Sequence, residues 1–128
     1  MVRDVKRTEA KGFIRQAEEF LESARHNLDQ QRFNVAAFDA VQSMINSNDA
    51  LTIHFLRKRA SKDHREALKL HADVVKIIND GSQRKKLKSA IDIRASAGYM
   101  GESITKKDAE KLVRYAVQFH FWVKDKLE

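Results

Sequence analysis

Arg94 and Tyr99, five residues apart in Ile91-Asp92-Ile93-Arg94-Ala95-Ser96-Ala97-Gly98-Tyr99, are the residue types in this chain best suited to chemistry on an anion. A guanidinium is always charged and offers a planar fork of donors that holds phosphate or carboxylate. A phenol beside it can donate a hydrogen bond, but it titrates near 10 and is a poor base at neutral pH. Arg94 and Tyr99 are therefore the candidate catalytic residues, with anion binding or bracing as the other roles open to Arg94.

A second set of charges is concentrated in two short segments. Arg57, Lys58, Arg59, Lys62 and Arg65 stand against one acid, Asp63, while Arg84, Lys85, Lys86 and Lys88 stand against none. These segments carry more than the whole formal excess of +7, which is the pattern of patches. The first ends an expected helix and complements its dipole. The second opens one, where each exposed cation opposes the dipole at about 0.3–1 kcal/mol. Positive charge beside helical N–H groups suits a phosphate, against the alternative of a solvated basic face. Arg84, Lys85, Lys86 and Lys88, with Arg94 and Arg59, are thus the candidate phosphate or nucleic-acid contacts.

The five histidines add little to this. Arg57 or Arg59 to His64, Arg65 to His71 and Arg114 to His120 have short arginine-to-histidine spacings, with surface or helix-end histidines as the ordinary explanation. His64 and His71 are seven apart and no His/carboxylate pair has convincing ligand spacing, so no metal and no other cofactor is expected. Phe121 and Trp122 fall off the inward stripe of the last helix and should be exposed in a monomer. With His54 they are the expected dimer contacts, because adjacent exposed aromatics mark interfaces.

The elements that position these residues follow from periodicity. Phe13, Ala17, Phe20, Leu21, Ala24 and Leu28 recur at helical spacing, predicting a helix from about 8 to 30. Asn34 is the expected cap of a second helix reaching Arg57, with Phe38, Val41, Ile45, Thr52 and Phe55 inward. In its polar middle, Asn46 and Asp49 are expected on an exposed face, whereas Asn48 lies on the inward spacing and should hydrogen-bond across the core or to Arg94. Asp63-His64-Arg65-Glu66 has capping-box spacing for a third helix with Ala67, Leu70, Val74 and Ile78 inward. Gly81 is expected to take the left-handed turn that stops it. Ser82 starts a fourth helix with Leu87, Ala90 and Ile91 buried, Gly98 and Gly101 interrupt the pattern, and Thr105 caps a last helix carrying Leu112, Val113, Ala116, Phe119 and Val123.

The result is an all-α domain over residues 8–128 with five helices, four of them in an up-and-down bundle core. Residues 1–7 are expected to fray, and no strand-like alternation is present. No cysteine is available for disulfides or thiolate chemistry. No apolar run approaches membrane-spanning length and no signal segment opens the chain, so a cytoplasmic location without membrane contact is expected.

This order, a long hairpin with Val35-Ala36-Ala37-Phe38-Asp39-Ala40 at its packing seam, a basic break, a shorter pair, then arginine, small residues and tyrosine before a last helix, resembles the HEPN domains (higher eukaryotes and prokaryotes nucleotide-binding). The similarity covers about Ala17 to Leu127. Arg94-Ala95-Ser96-Ala97-Gly98-Tyr99 is similar to the R-x-x-A-x-Y segment of the non-catalytic branch. The resemblance implies a helical bundle that usually forms a homodimer, often beside a nucleotidyltransferase. Ribonuclease members carry arginine, a polar residue and then histidine at this place. Here Ala95 stands at the polar position, and Tyr99, Met100 and Gly101 stand where the histidine should fall.

The expectation is therefore a dimeric, non-catalytic module that binds the phosphate of a nucleotide or RNA, with a nucleotidyltransferase as a possible partner. Two alternatives stay open. One is a metal-independent ribonuclease in which Arg94 and Tyr99 work with a histidine from elsewhere, and the other is a purely structural dimer subunit.

Overall fold

The computed structural model describes residues 2–61, 63–100 and 103–128, and only the backbone of 3, 4, 94 and 97–100. Its five α-helices are α1 (Ala10–Asp29), α2 (Phe33–Leu56), α3 (His64–Ile78), α4 (Arg84–Met100) and α5 (Lys106–Leu127). The all-α expectation holds. One addition is a two-stranded antiparallel pairing of β1 (Val2–Asp4) with β2 (Lys58–Ala60), Val2 opposite Ala60. The segment expected to fray thus carries a strand, and a 3₁₀ turn, Arg7–Glu9, links it to α1.

Helix α2 is the axis of the molecule. It packs on α1, α3, α4, α5 and β2, so residues from all round it are buried, including Ala40, Met44, Leu51 and Ile53. The α1–α2 seam is built from Ala17, Ala24, Ala36, Ala37 and Ala40, all at 1% exposure or less. Small side chains let helix axes approach closely. Larger rings are consequently displaced to the rim: Phe20 and Phe38, both expected inward, are exposed at 36% and 38%. Ser43 Oγ donates to the Ala17 carbonyl at 2.7 Å, and Ser23 Oγ donates to Asp39 Oδ2 at 2.6 Å, fixing the register of the hairpin.

The inward stripes of the other helices are as the spacing predicts. Ala67, Leu70 and Val74 of α3, Leu87, Ala90 and Ile91 of α4, and Leu112, Val113, Ala116, Phe119 and Val123 of α5 are buried.

Several helix ends differ from expectation. Asn34 does not cap α2; Arg32 precedes the helix without a side-chain cap, and Asn34 Oδ1 accepts from Ile104 N at 2.7 Å, tying the start of α2 to the segment before α5. Asp63 caps α3 through Arg65 N at 2.9 Å and not through residue 66. The left-handed residue ending α3 is Asn79, φ 55°, not Gly81. A Cβ added at Gly81 would sit 3.4 Å from Val75 Cγ1, at the edge of ordinary contact, so packing does not demand a glycine there. Gly98 lies inside α4, which runs on to Met100. Thr105 caps α5 as predicted, its hydroxyl accepting from Asp108 N at 3.1 Å.

Candidate functional site

The backbone of Arg94 and Tyr99 lies in the last turns of α4, and their side chains lie outside the described residues. Gly101, one of the positions where the histidine of nuclease relatives should fall, lies outside them altogether.

The Arg84–Lys88 cluster occupies the first turns of α4, with no acid in the first turn. Its members are not equivalent. Lys86 Nζ donates to Gln83 Oε1 at 3.2 Å, and Lys88 Nζ pairs with Asp92 Oδ2 at 2.8 Å, an i, i+4 bridge. Arg84 and Lys85 are exposed and make no side-chain hydrogen bond or ion pair among the described residues. Just before the helix, Asp80 takes the indole N–H of Trp122 at 2.9 Å, Ser82 N at 3.0 Å and Lys126 Nζ at 3.0 Å. Those bonds, led by Trp122, hold its carboxyl well below the usual range. That acid is satisfied before any cation of α4 needs it.

Trp122 itself corrects an expectation. It is half-buried, its ring tilted against His71 and Phe119 at 5.6 and 5.8 Å, because the Asp80 carboxylate receives its one polar atom. It is thus not an exposed aromatic of the monomer, whereas Phe121 is, at 54%. His54 is half-buried: its Nε2 accepts from Arg7 at 3.1 Å and its ring meets Phe55 edge-on. Burial, then the nearby Arg7 charge, lowers its pKa.

Two further histidines are interior. Asn48 Nδ2 donates to the Ala67 carbonyl at 3.1 Å, which turns Asn48 Oδ1 toward His71 Nδ1 at 2.9 Å. The across-core hydrogen bond expected of Asn48 is present, made to α3. Nδ1 must then carry the proton, and Nε2 is buried without a partner. Burial, helped by Arg84, lowers the His71 pKa to about 4. His120 sits with Nδ1 3.3 Å from Ser47 Oγ and Nε2 3.8 Å from Glu18. Ser, His and acid in line suggest a nucleophilic triad, but Ser47 is fully buried and beyond a substrate's reach. Burial again lowers the histidine's pKa, opposed by Glu18.

Periodicity does not reveal one further cavity, lined by buried polar groups. Asn46 and Asp49, expected on an exposed face, are at 5% and 4% exposure, because α3 and β2 cover that side of α2. They line a half-open cavity of about 220 Å³ with Phe13, Arg59, Ser61 and His64. Asp49 makes no side-chain hydrogen bond or close ion pair among the described residues. Burial pushes its pKa up to about 7, with the Arg59 charge pulling the other way. Arg59 lies over the Phe13 ring at 4.9 Å. One signal was available: between Asp39 and Arg57 the only formal charge is Asp49, and a solvated helix face is not so bare.

Among the described residues no group of three His, Asp or Glu could hold a metal ion, and no helix is long and apolar enough to cross a membrane. The HEPN domain model matches residues 10–126. The chain belongs to the HEPN family. Membership supports a nucleotide- or RNA-related function in general for this HEPN protein, and α1 through α5 fall almost wholly within the match. No curated protein matches the chain.

Proposed function

We propose that this HEPN chain is a non-catalytic, homodimeric module that binds the phosphate of a nucleotide or RNA through Arg84 and Lys85, with Lys86 and Arg94 as further contacts, Lys88 held back by its bridge to Asp92, and Arg59, at the other end of α3, meeting a different part of the ligand. The observation that carries the reading is the pair of exposed, unpaired cations in the first turn of α4, where they oppose the helix dipole and a bound phosphate would reverse that cost. A nucleotidyltransferase is the partner the family suggests, and Phe121 is the aromatic available for the dimer contact. Binding of single-stranded RNA, followed by fluorescence anisotropy, is expected to weaken steeply with salt and to drop when Lys85 and Lys86 are both changed to glutamate. Unchanged binding in that double variant sinks the proposal. Dimerisation is read separately by light scattering, where Phe121→Glu should shift the mass toward monomer.

A second reading has one observation in its favour. Arg59 and His64, at the short spacing found in HEPN ribonucleases, line the same cavity as Asp49. Against it, Ala60 stands where those enzymes have a polar residue. RNA cleavage without metal that disappears in His64→Ala would establish the nuclease; an intact substrate after prolonged incubation with the wild type would remove it.

A further inference from the structure

We propose that the cavity between α1, α2, β2 and α3 is a guanine-recognition pocket, with the Asp49 carboxylate and the Asn46 amide reading the base edge and Arg59 on Phe13 forming a stacking wall. The inference deepens the nucleotide reading above and rests on it for the class of ligand.

Four observations carry it. Asp49 and Asn46 are three apart on α2 and so share one face, both at least nine-tenths buried and both lining the cavity. No side-chain hydrogen bond to the Asp49 carboxylate is made among the described residues and Arg59 acts on it only as a nearby charge, so its oxygens can accept from a guest with two N–H donors. Gln42 Nε2 donates to Asn46 Oδ1 at 3.0 Å, which uses the Asn46 acceptor and leaves its NH₂ to donate. The cavity volume of about 220 Å³ falls below the ~300–1,000 Å³ of drug-sized sites, which suits one flat ring system.

With Asp49 ionised, the Asp49–Asn46 pair is directional, two acceptor oxygens beside one donor, and Ser61, Asp63 and His64 complete the polar lining. Guanine's pairing edge is the complement, with N1–H and the N2 amino group as donors beside O6 as acceptor. Adenine reverses the order at that edge and presents an acceptor where the carboxylate requires a donor. Arg59 further discriminates. Its charge in the cavity wall disfavours a cationic guest, while its flat guanidinium, already placed over Phe13, provides the type of surface on which unstacked bases rest. Burial raises the Asp49 pKa to about 7, and a guest's N–H donors would favour the ionised carboxylate as the Arg59 charge already does.

Calorimetric titration of guanosine and adenosine, both lacking phosphate, into the full chain isolates the pocket from the α4 cations. Guanosine is expected to bind about tenfold or more tightly than adenosine, and Asp49→Asn to bring the two within about threefold. Equal binding of the two nucleosides to wild type, or a preference that survives Asp49→Asn, overturns the pocket. Should Asp49→Asn fold poorly, amide chemical shifts of wild type decide: guanosine must move Asn46, Asp49 and Arg59, and their silence at saturation overturns it as well. Salt-dependent RNA binding is scored in parallel. Its loss with guanosine selectivity intact counts against the α4 phosphate contacts alone, and the converse counts against the pocket alone.

Discussion

Asp49 and His71 are two buried ionisable side chains whose effects on stability run in opposite directions across the same pH range. Asp49 is raised from 3.8 to about 7 on folding, so its contribution is fully present below pH 3.8 and is lost as pH rises through 7. His71 is lowered from 6.5 to about 4, so its contribution is present above pH 6.5 and is lost as pH falls toward 4. Each shift amounts to about 3–4 kcal/mol at most, and between pH 4 and 6.5 they largely cancel. Asp49→Asn removes one side of that balance. The variant should match wild type in urea denaturation at pH 4 and exceed it by at least about 1 kcal/mol at pH 8. Its stability should also climb steadily from pH 4 to 6.5, where wild type is flatter. An Asn variant less stable at pH 8 would mean that the carboxylate is paired in the folded protein. Direct observation of His71 tests the other half: its ring nitrogens, followed by NMR, should show the neutral Nδ1–H form at pH 6 and begin to titrate only near pH 4.

At the scale of elements, helix existence and inward stripes were legible, because α1, α3 and α5 carry apolar residues at clear helical spacing against charged faces. Helix ends and α2 were less so. The chain leaves α2 and α3 through Arg57 and Asn79 in the left-handed region, at φ 57° and 55°, and neither is the glycine that the usual signal invokes. Arg57 N bonds to the Ile53 carbonyl and Asn79 N to the Val75 carbonyl, so closing the last turn outweighs the local strain. That strain is about 1–2 kcal/mol for an ordinary side chain and smaller for asparagine. Arg57→Gly should therefore raise stability by about 0.5–1 kcal/mol after the entropy of glycine is discounted, and Asn79→Gly by less. Denaturation midpoints with unchanged m-values check the order; equal or negative shifts in both would show that strain is not what limits these ends. The β1–β2 pairing was illegible for another reason: three residues per strand give no periodicity to read, and the partner lies more than fifty residues away. The cavity escaped notice because the expected role of Asn46 and Asp49 assumed one wet face for α2, whereas a helix packed on five neighbours has none along its middle.

At the scale of the whole molecule, the two basic segments sit at opposite ends of α3, whose fifteen residues span about 22 Å. The basic excess is therefore divided, with Arg59 at the cavity and Arg84 to Lys88 at the start of α4. Within the α4 cluster the geometry ranks the cations. Lys88 is already paired with Asp92, an exposed i, i+4 bridge of the kind worth about 0.3–0.5 kcal/mol, while Arg84 and Lys85 have no such competitor among the described residues. A phosphate at this end must break that bridge to use Lys88 but not to use the other two. In RNA binding measured from low to moderate salt, each lost phosphate contact lowers the slope of log K against log salt by about 0.7 for a single strand. Arg84→Gln and Lys85→Gln together are thus expected to reduce the slope by about 1.4, and Lys88→Gln to leave it nearly unchanged. If Lys88→Gln flattens the slope as much as either single change, the cluster acts as a diffuse field and the positions of the individual cations carry no information. If the slope falls only with Arg84 and Lys85, the phosphate lies against the first turn of α4, where the helix dipole adds to their charge.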